Sequence, residues 1–87
     1  MELKTIAAIL DLPCSVNSEL TGIATDSRSI IKGNLFIALA GERFDGHSFV
    51  KEAEVQGAAA AIVAQKVEGV TIPQLVVSDP LQALAQI

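Results

Sequence analysis

Lys32-Gly33-Asn34-Leu35-Phe36-Ile37-Ala38-Leu39, followed by Gly41-Glu42-Arg43-Phe44-Asp45-Gly46-His47, is the stretch on which the fold turns. Leu35 to Leu39 is a continuous apolar run of strand length. Alternate side chains of a strand point to opposite sides, so an unbroken apolar run predicts burial on both faces. Turn chemistry precedes the run at Asp26-Ser27-Arg28-Ser29 and again at Lys32-Gly33-Asn34, and a polar loop follows from Gly41 to Gly46.

Downstream of that loop, Asp45 or Ser48 can cap a helix whose inner face is Phe49, Val50 and Ala53 and which stops at Gly57. Ala58 to Ala64 predicts a second buried strand around Ile62 and Val63. Gly69 marks a turn, and Leu75 to Val77 a third short strand after Pro73. Asp79-Pro80 puts a capping carboxylate and a first-turn proline where a helix begins, with Leu81, Leu84 and Ala85 as its apolar stripe. Upstream, Leu20 to Thr25 alternates loosely as a strand that Gly22 weakens. Leu3, Ile6, Ala7 and Leu10 fall on one helical face, closed by Pro13. Passage from Leu35–Leu39 through a helix to Ala60–Val63 is a strand–helix–strand crossover, which makes its two strands parallel. The expected fold is α/β: a small three-layer sandwich with a mixed, largely parallel sheet and helices on both faces.

The totals agree with one domain. A chain of 87 residues buries roughly 60–65% of its extended surface, enough for one core. The composition is 51% hydrophobic but 3% aromatic, which favours closely packed thin layers over a core of large rings. A net charge of −4 with scattered cations, and no Trp or Tyr, argues against nucleic acid as a partner. Cys14 is alone, which precludes an internal disulfide and suits a reducing compartment. No apolar run reaches the roughly 18 residues of a membrane span, and the first residues lack a signal-peptide layout. A cytoplasmic protein with no membrane partner is expected. The final helix has about two turns and no closing residue, which favours a chain cut from a longer protein.

Two polar clusters flank the central strand. Asp26-Ser27-Arg28 either serves the local backbone as a turn or offers a hydroxyl and a guanidinium to a phosphate or sugar oxygen. Glu42, Arg43, Phe44, Asp45, Gly46 and His47 lie between a strand end and a helix start, where open parallel sheets collect ligands. There Arg43 and His47 can face a diphosphate and Phe44 a flat base; the plainer reading is a surface loop with Arg43 paired to Glu42 or Asp45. No metal-ligand spacing, phosphate loop or dinucleotide fingerprint is present. No catalytic and no metal-binding residue is therefore assigned.

Thr25-Asp26-Ser27-Arg28, the Lys32–Leu39 segment, Gly41–Phe49 and Gly57-Ala58-Ala59-Ala60 together resemble the N-terminal domain of the Mur ligases, bacterial enzymes that extend the muramyl peptide precursor of peptidoglycan. The likeness covers nearly the whole chain and is weaker before Gly22. The Gly41–His47 stretch is most similar to members that add D-alanyl-D-alanine to the UDP-muramoyl tripeptide; members adding the diamino acid one step earlier are similar over the same residues. The resemblance implies that residues 1–87 hold the UDP end of a UDP-MurNAc-peptide, with Thr25, Asp26, Ser27, Arg28, Glu42, Arg43, Phe44, Asp45, Gly46 and His47 at or near it. It also implies no cofactor here, ATP and Mg2+ in a central domain, and the amino component in a C-terminal one, both as partners within the same chain. A free-standing interaction module, or a related fold that no longer binds nucleotide, is the alternative.

Overall fold

The computed structural model describes residues 1–41 and 44–87, with side chains outside 40–46. Its centre is a four-stranded sheet of β1 (Gly22–Ala24), β2 (Asn34–Ile37), β5 (Ala60–Val63) and β6 (Gln74–Val76), in that spatial order. All its pairings are parallel, Leu35 lying opposite Ile23 on one side and Ala60 on the other. Antiparallel pairing occurs in a separate ribbon of β3 (Ala40–Gly41) and β4 (Phe44–Asp45), largely within the stretch expected to be loop, and at an isolated bridge between Glu2 and Glu19. Among the described residues the α-helices are α1 (Leu3–Ile9), α2 (Val50–Val55) and α3 (Pro80–Gln86).

The double burial expected of the central strand is present, and its alternation sorts the core into two layers. Leu35 and Ile37 of β2, with Ala60 and Ile62 of β5, pack against Leu3, Ile6 and Ala7 of α1 and Ala83 of α3. Phe36, Ala38, Ala61 and Val63 face the opposite way, onto Val50 and Ala53 of α2. Small side chains at Ala60 and Ala61 let α1 and α2 approach the sheet closely, so the core needs few rings. Each fully buried aliphatic side chain contributes about 1.5–3 kcal/mol of transfer free energy.

Turn residues fix the register. Asn34 is buried; its Oδ1 accepts the Ile31 N–H at 2.9 Å and its Nδ2 donates to Thr21 Oγ1 at 3.1 Å. α2 gives way at Gly57, whose φ of 109° lies in the left-handed region open to glycine. Asp79 caps α3, its Oδ1 accepting the Leu81 and Gln82 N–H groups at 3.0 and 3.3 Å.

Three local expectations are revised. α1 ends before Pro13, because Asp11 already takes a φ of 57° and breaks the helical run. Ser48 does not cap α2: the helix is entered through a 3-10 turn, Gly46–Phe49, and the position before it, Phe49, makes no side-chain cap. In α3 the buried residue is Ala83 rather than Leu81, which is 63% exposed. Leu84 of the predicted stripe does pack against the core beside Ala83.

Candidate functional site

In a parallel sheet every strand points the same way, so the segments that follow β1, β2 and β5 meet at one edge. Thr25 to Ser29 leave β1 there, and α2 begins there after the connection from β2. A groove of about 400 Å³ opens between them, lined by Thr25, Asp26, Ser27 and Arg28 from the first segment and by Phe49 and Glu52 from the second. Of the residues that the resemblance implies, Thr25 to Arg28 are brought together. Glu42 and Arg43, and the side chains of Phe44, Asp45 and Gly46, lie outside the described residues.

The first segment folds as a short 3-10 turn, Ser27–Ser29, that Asp26 caps. Asp26 Oδ1 accepts the Arg28 backbone N–H at 2.9 Å and Arg28 Nε at 3.1 Å, and Oδ2 accepts Nη2 at 2.9 Å. The forked guanidinium thus closes on a carboxylate of its own turn. Hydrogen bonds from Arg28 hold the Asp26 carboxyl below its ordinary range, and Asp26 in turn raises Arg28. Both groups are charged at neutral pH. The Arg28 side chain is 83% exposed, so this pair is screened by water and adds little stability.

Ser27 is buried and its hydroxyl donates to Glu52 Oε2 at 3.2 Å, joining the turn after β1 to the first turns of α2. Glu52 is a lining residue that the sequence does not disclose: it stands 25 positions from Ser27, and no spacing rule relates them. Phe49, expected on the inner face of the helix, both packs against the second core layer and lines the groove.

His47 is engaged with backbone. Its Nε2 accepts the Ala64 N–H at 2.8 Å and the Gln65 N–H at 3.3 Å, just past the end of β5. The imidazole ties the turn before α2 to the carboxyl edge of the sheet.

Comparison with known proteins places the chain. A profile described as "Mur ligase family, catalytic domain" matches residues 19–87. The chain belongs to the Mur ligase family. It is 44% identical over 75 residues to the UDP-N-acetylmuramoyl-tripeptide--D-alanyl-D-alanine ligase of Synechocystis sp., covering 84% of this chain and 16% of that enzyme. It is 40% identical over 88 residues to the UDP-N-acetylmuramoyl-L-alanyl-D-glutamate--2,6-diaminopimelate ligase of Bacillus cereus, covering 98% of this chain and 18% of that one. A crystal structure of MurF from Acinetobacter baumannii superposes with a TM-score of 0.79 at 35% identity, over 95% of this chain and 19% of that one. This Mur ligase chain thus spans less than a fifth of the length of these relatives.

Among the described residues no group of three or more His, Cys, Asp or Glu side chains converges, and the sequence has no G-x-x-x-x-G-K-[ST]. Among the described residues no helix is long and apolar enough to cross a membrane.

Proposed function

We propose that this chain is the UDP-holding N-terminal domain of a cytoplasmic, ATP-dependent ligase that adds D-alanyl-D-alanine to UDP-MurNAc-tripeptide in peptidoglycan synthesis. The observation that carries the reading is the groove at the carboxyl edge of the sheet, in a chain 35% identical to the superposed MurF. Thr25, Asp26, Ser27 and Arg28 form one wall, and Glu42 to His47 belong to the second loop that the family resemblance assigns to the nucleotide. The chain itself is non-catalytic. ATP, Mg2+ and the incoming dipeptide belong to the central and C-terminal domains of a longer enzyme. Binding energy from the nucleotide end positions the distant reacting carboxylate, a division in which remote contacts support chemistry they never touch.

Titration of the isotope-labelled chain with UDP and with UDP-MurNAc tests the site. Amide shifts confined to residues 25–28 and 41–52 are expected; shifts confined elsewhere overturn it. A second reading, the diaminopimelate-adding ligase, is favoured by the Bacillus cereus enzyme, whose similarity spans 98% of this chain. Supplying the complete gene product with ATP and either UDP-MurNAc-tripeptide plus D-alanyl-D-alanine, or UDP-MurNAc-dipeptide plus diaminopimelate, separates the two.

A further inference from the structure

At its carboxyl end β2 leaves the sheet abruptly. The Ala38 N–H still donates to Ile62 O at 2.9 Å, but the Leu39 N–H already turns back to Ile37 O at 3.1 Å. The next donor along β5 is Ala64. Its N–H and that of Gln65 go to His47 Nε2, at 2.8 and 3.3 Å. The imidazole thus takes the place of a strand partner where the ladder stops. Backbone donors left without an acceptor are costly, which gives the ring a physical reason to stay where it is.

The place of His47 in the chain gives this tie a second consequence. His47 lies in the 3-10 turn Gly46–Phe49, which runs directly into α2. Phe49 and Glu52, just beyond it, are what this segment contributes to the groove, and His47 itself is not among the described residues lining it. A helix as short as Val50–Val55 has little stability of its own, so its placement depends on tertiary anchors. Two are on hand at its start. His47 holds the entry to the end of β5, and the Ser27 hydroxyl donates to Glu52 across the groove at 3.2 Å.

We infer that His47 is a positioning residue for the nucleotide and not one of its contacts: it seats the start of α2 so that Glu52 stands opposite Ser27. The inference rests on the nucleotide-binding reading above. It departs from the expectation that the ring of His47 faces a diphosphate, because the ring nitrogen is turned to the backbone of β5 instead.

The test compares three variants of the 87-residue chain. His47→Gln carries an amide oxygen that can accept the same two N–H groups, His47→Phe keeps a ring that accepts nothing, and His47→Asn accepts but is shorter. Without ligand, His47→Phe and His47→Asn should speed hydrogen exchange at Ala64 and Gln65 and weaken the nuclear Overhauser contacts between residues 27 and 52. His47→Gln should keep both as in the parent. UDP, followed by amide shifts, should bind the Phe and Asn variants about tenfold more weakly, the size of one displaced hydrogen bond, and His47→Gln like the parent. Parent-like UDP affinity in His47→Phe, with the Ala64 and Gln65 amides exposed, would overturn the inference. So would lost UDP binding in His47→Gln with those amides still protected, which would make the ring a direct contact. If His47→Phe does not fold, His47→Asn carries the same comparison. A parent chain whose groove amides ignore UDP refutes the nucleotide reading instead, and the contacts between residues 27 and 52 then decide alone whether His47 seats α2.

Discussion

His47 Nε2 accepts the Ala64 backbone N–H at 2.8 Å, across 17 positions of sequence. The same atom reaches the Gln65 N–H at 3.3 Å, so one imidazole closes two backbone donors left free where β5 ends. These bonds set where α2 begins, and hence where Glu52 and Phe49 stand relative to Ser27. His47→Ala exposes or strands those donors, a loss of about 1–3 kcal/mol. Urea denaturation should show a lower midpoint with an unchanged slope. An unchanged midpoint would mean that water replaces the ring at no cost.

Glu54 binds α2 to the segment before β6. Its Oε2 accepts Lys51 Nζ at 2.8 Å, and its Oε1 accepts the Thr71 and Ile72 N–H groups at 2.7 and 3.1 Å, with the Thr71 hydroxyl beside them. Lys51 first, then Thr71 and Ile72, hold its carboxyl at about 2 against an ordinary 4.5. The folded chain then binds fewer protons than the unfolded chain over that interval. The contribution is complete above pH 4.5 and is lost as the pH falls toward 2. Denaturation midpoints at pH 3 and pH 6 should differ in the parent and differ less in Glu54→Gln, after correction for the other carboxylates. Equal pH dependence in the two proteins would refute this.

Gly33 carries a φ of 91°, and a Cβ built on it would lie 2.8 Å from Thr21 Cγ2 and 3.0 Å from Thr21 Oγ1. Thr21 cannot turn away freely, because its hydroxyl donates to Lys32 O at 2.9 Å and accepts from Asn34. Gly33→Ala therefore combines backbone strain with a clash, at about 1–3 kcal/mol. Pairing Gly33→Ala with Thr21→Ser, which removes the clashing methyl, should recover part of the loss. No recovery would assign the whole cost to the backbone.

Phe36 is fully buried at the centre of the α2 layer. Its truncation to Ala removes about 3–5 kcal/mol, a large share of the about 5–15 kcal/mol by which domains are stable. Thermal unfolding of Phe36→Ala should begin near room temperature, whereas Phe36→Leu should retain a cooperative transition. A Phe36→Ala protein melting within a few degrees of the parent would show that the layer collapses onto the gap.

The strands were legible because burial on two faces demands an unbroken apolar run, and Leu35–Leu39 and Ala60–Val63 both have one. The crossover between them followed from chain length and connectivity. Asp79 before Pro80 announced α3, since a cap is chemistry between near neighbours. The 3-10 entry to α2 and the short ribbon after β2 carried no comparable signal. Both depend on how the chain turns back over a finished sheet edge.

The amino-acid order alone determined the layered α/β architecture, the turn at Asp26–Ser29 and the family likeness. Each of these rests on interactions among residues a few positions apart or on periodic burial. Only the folded chain decided that Ser27 would bond Glu52, that His47 would serve the backbone of Ala64, and that Phe49 would line the groove. Such pairings span many positions, and their partners are chosen by the packing of α2 against the sheet rather than by local propensity.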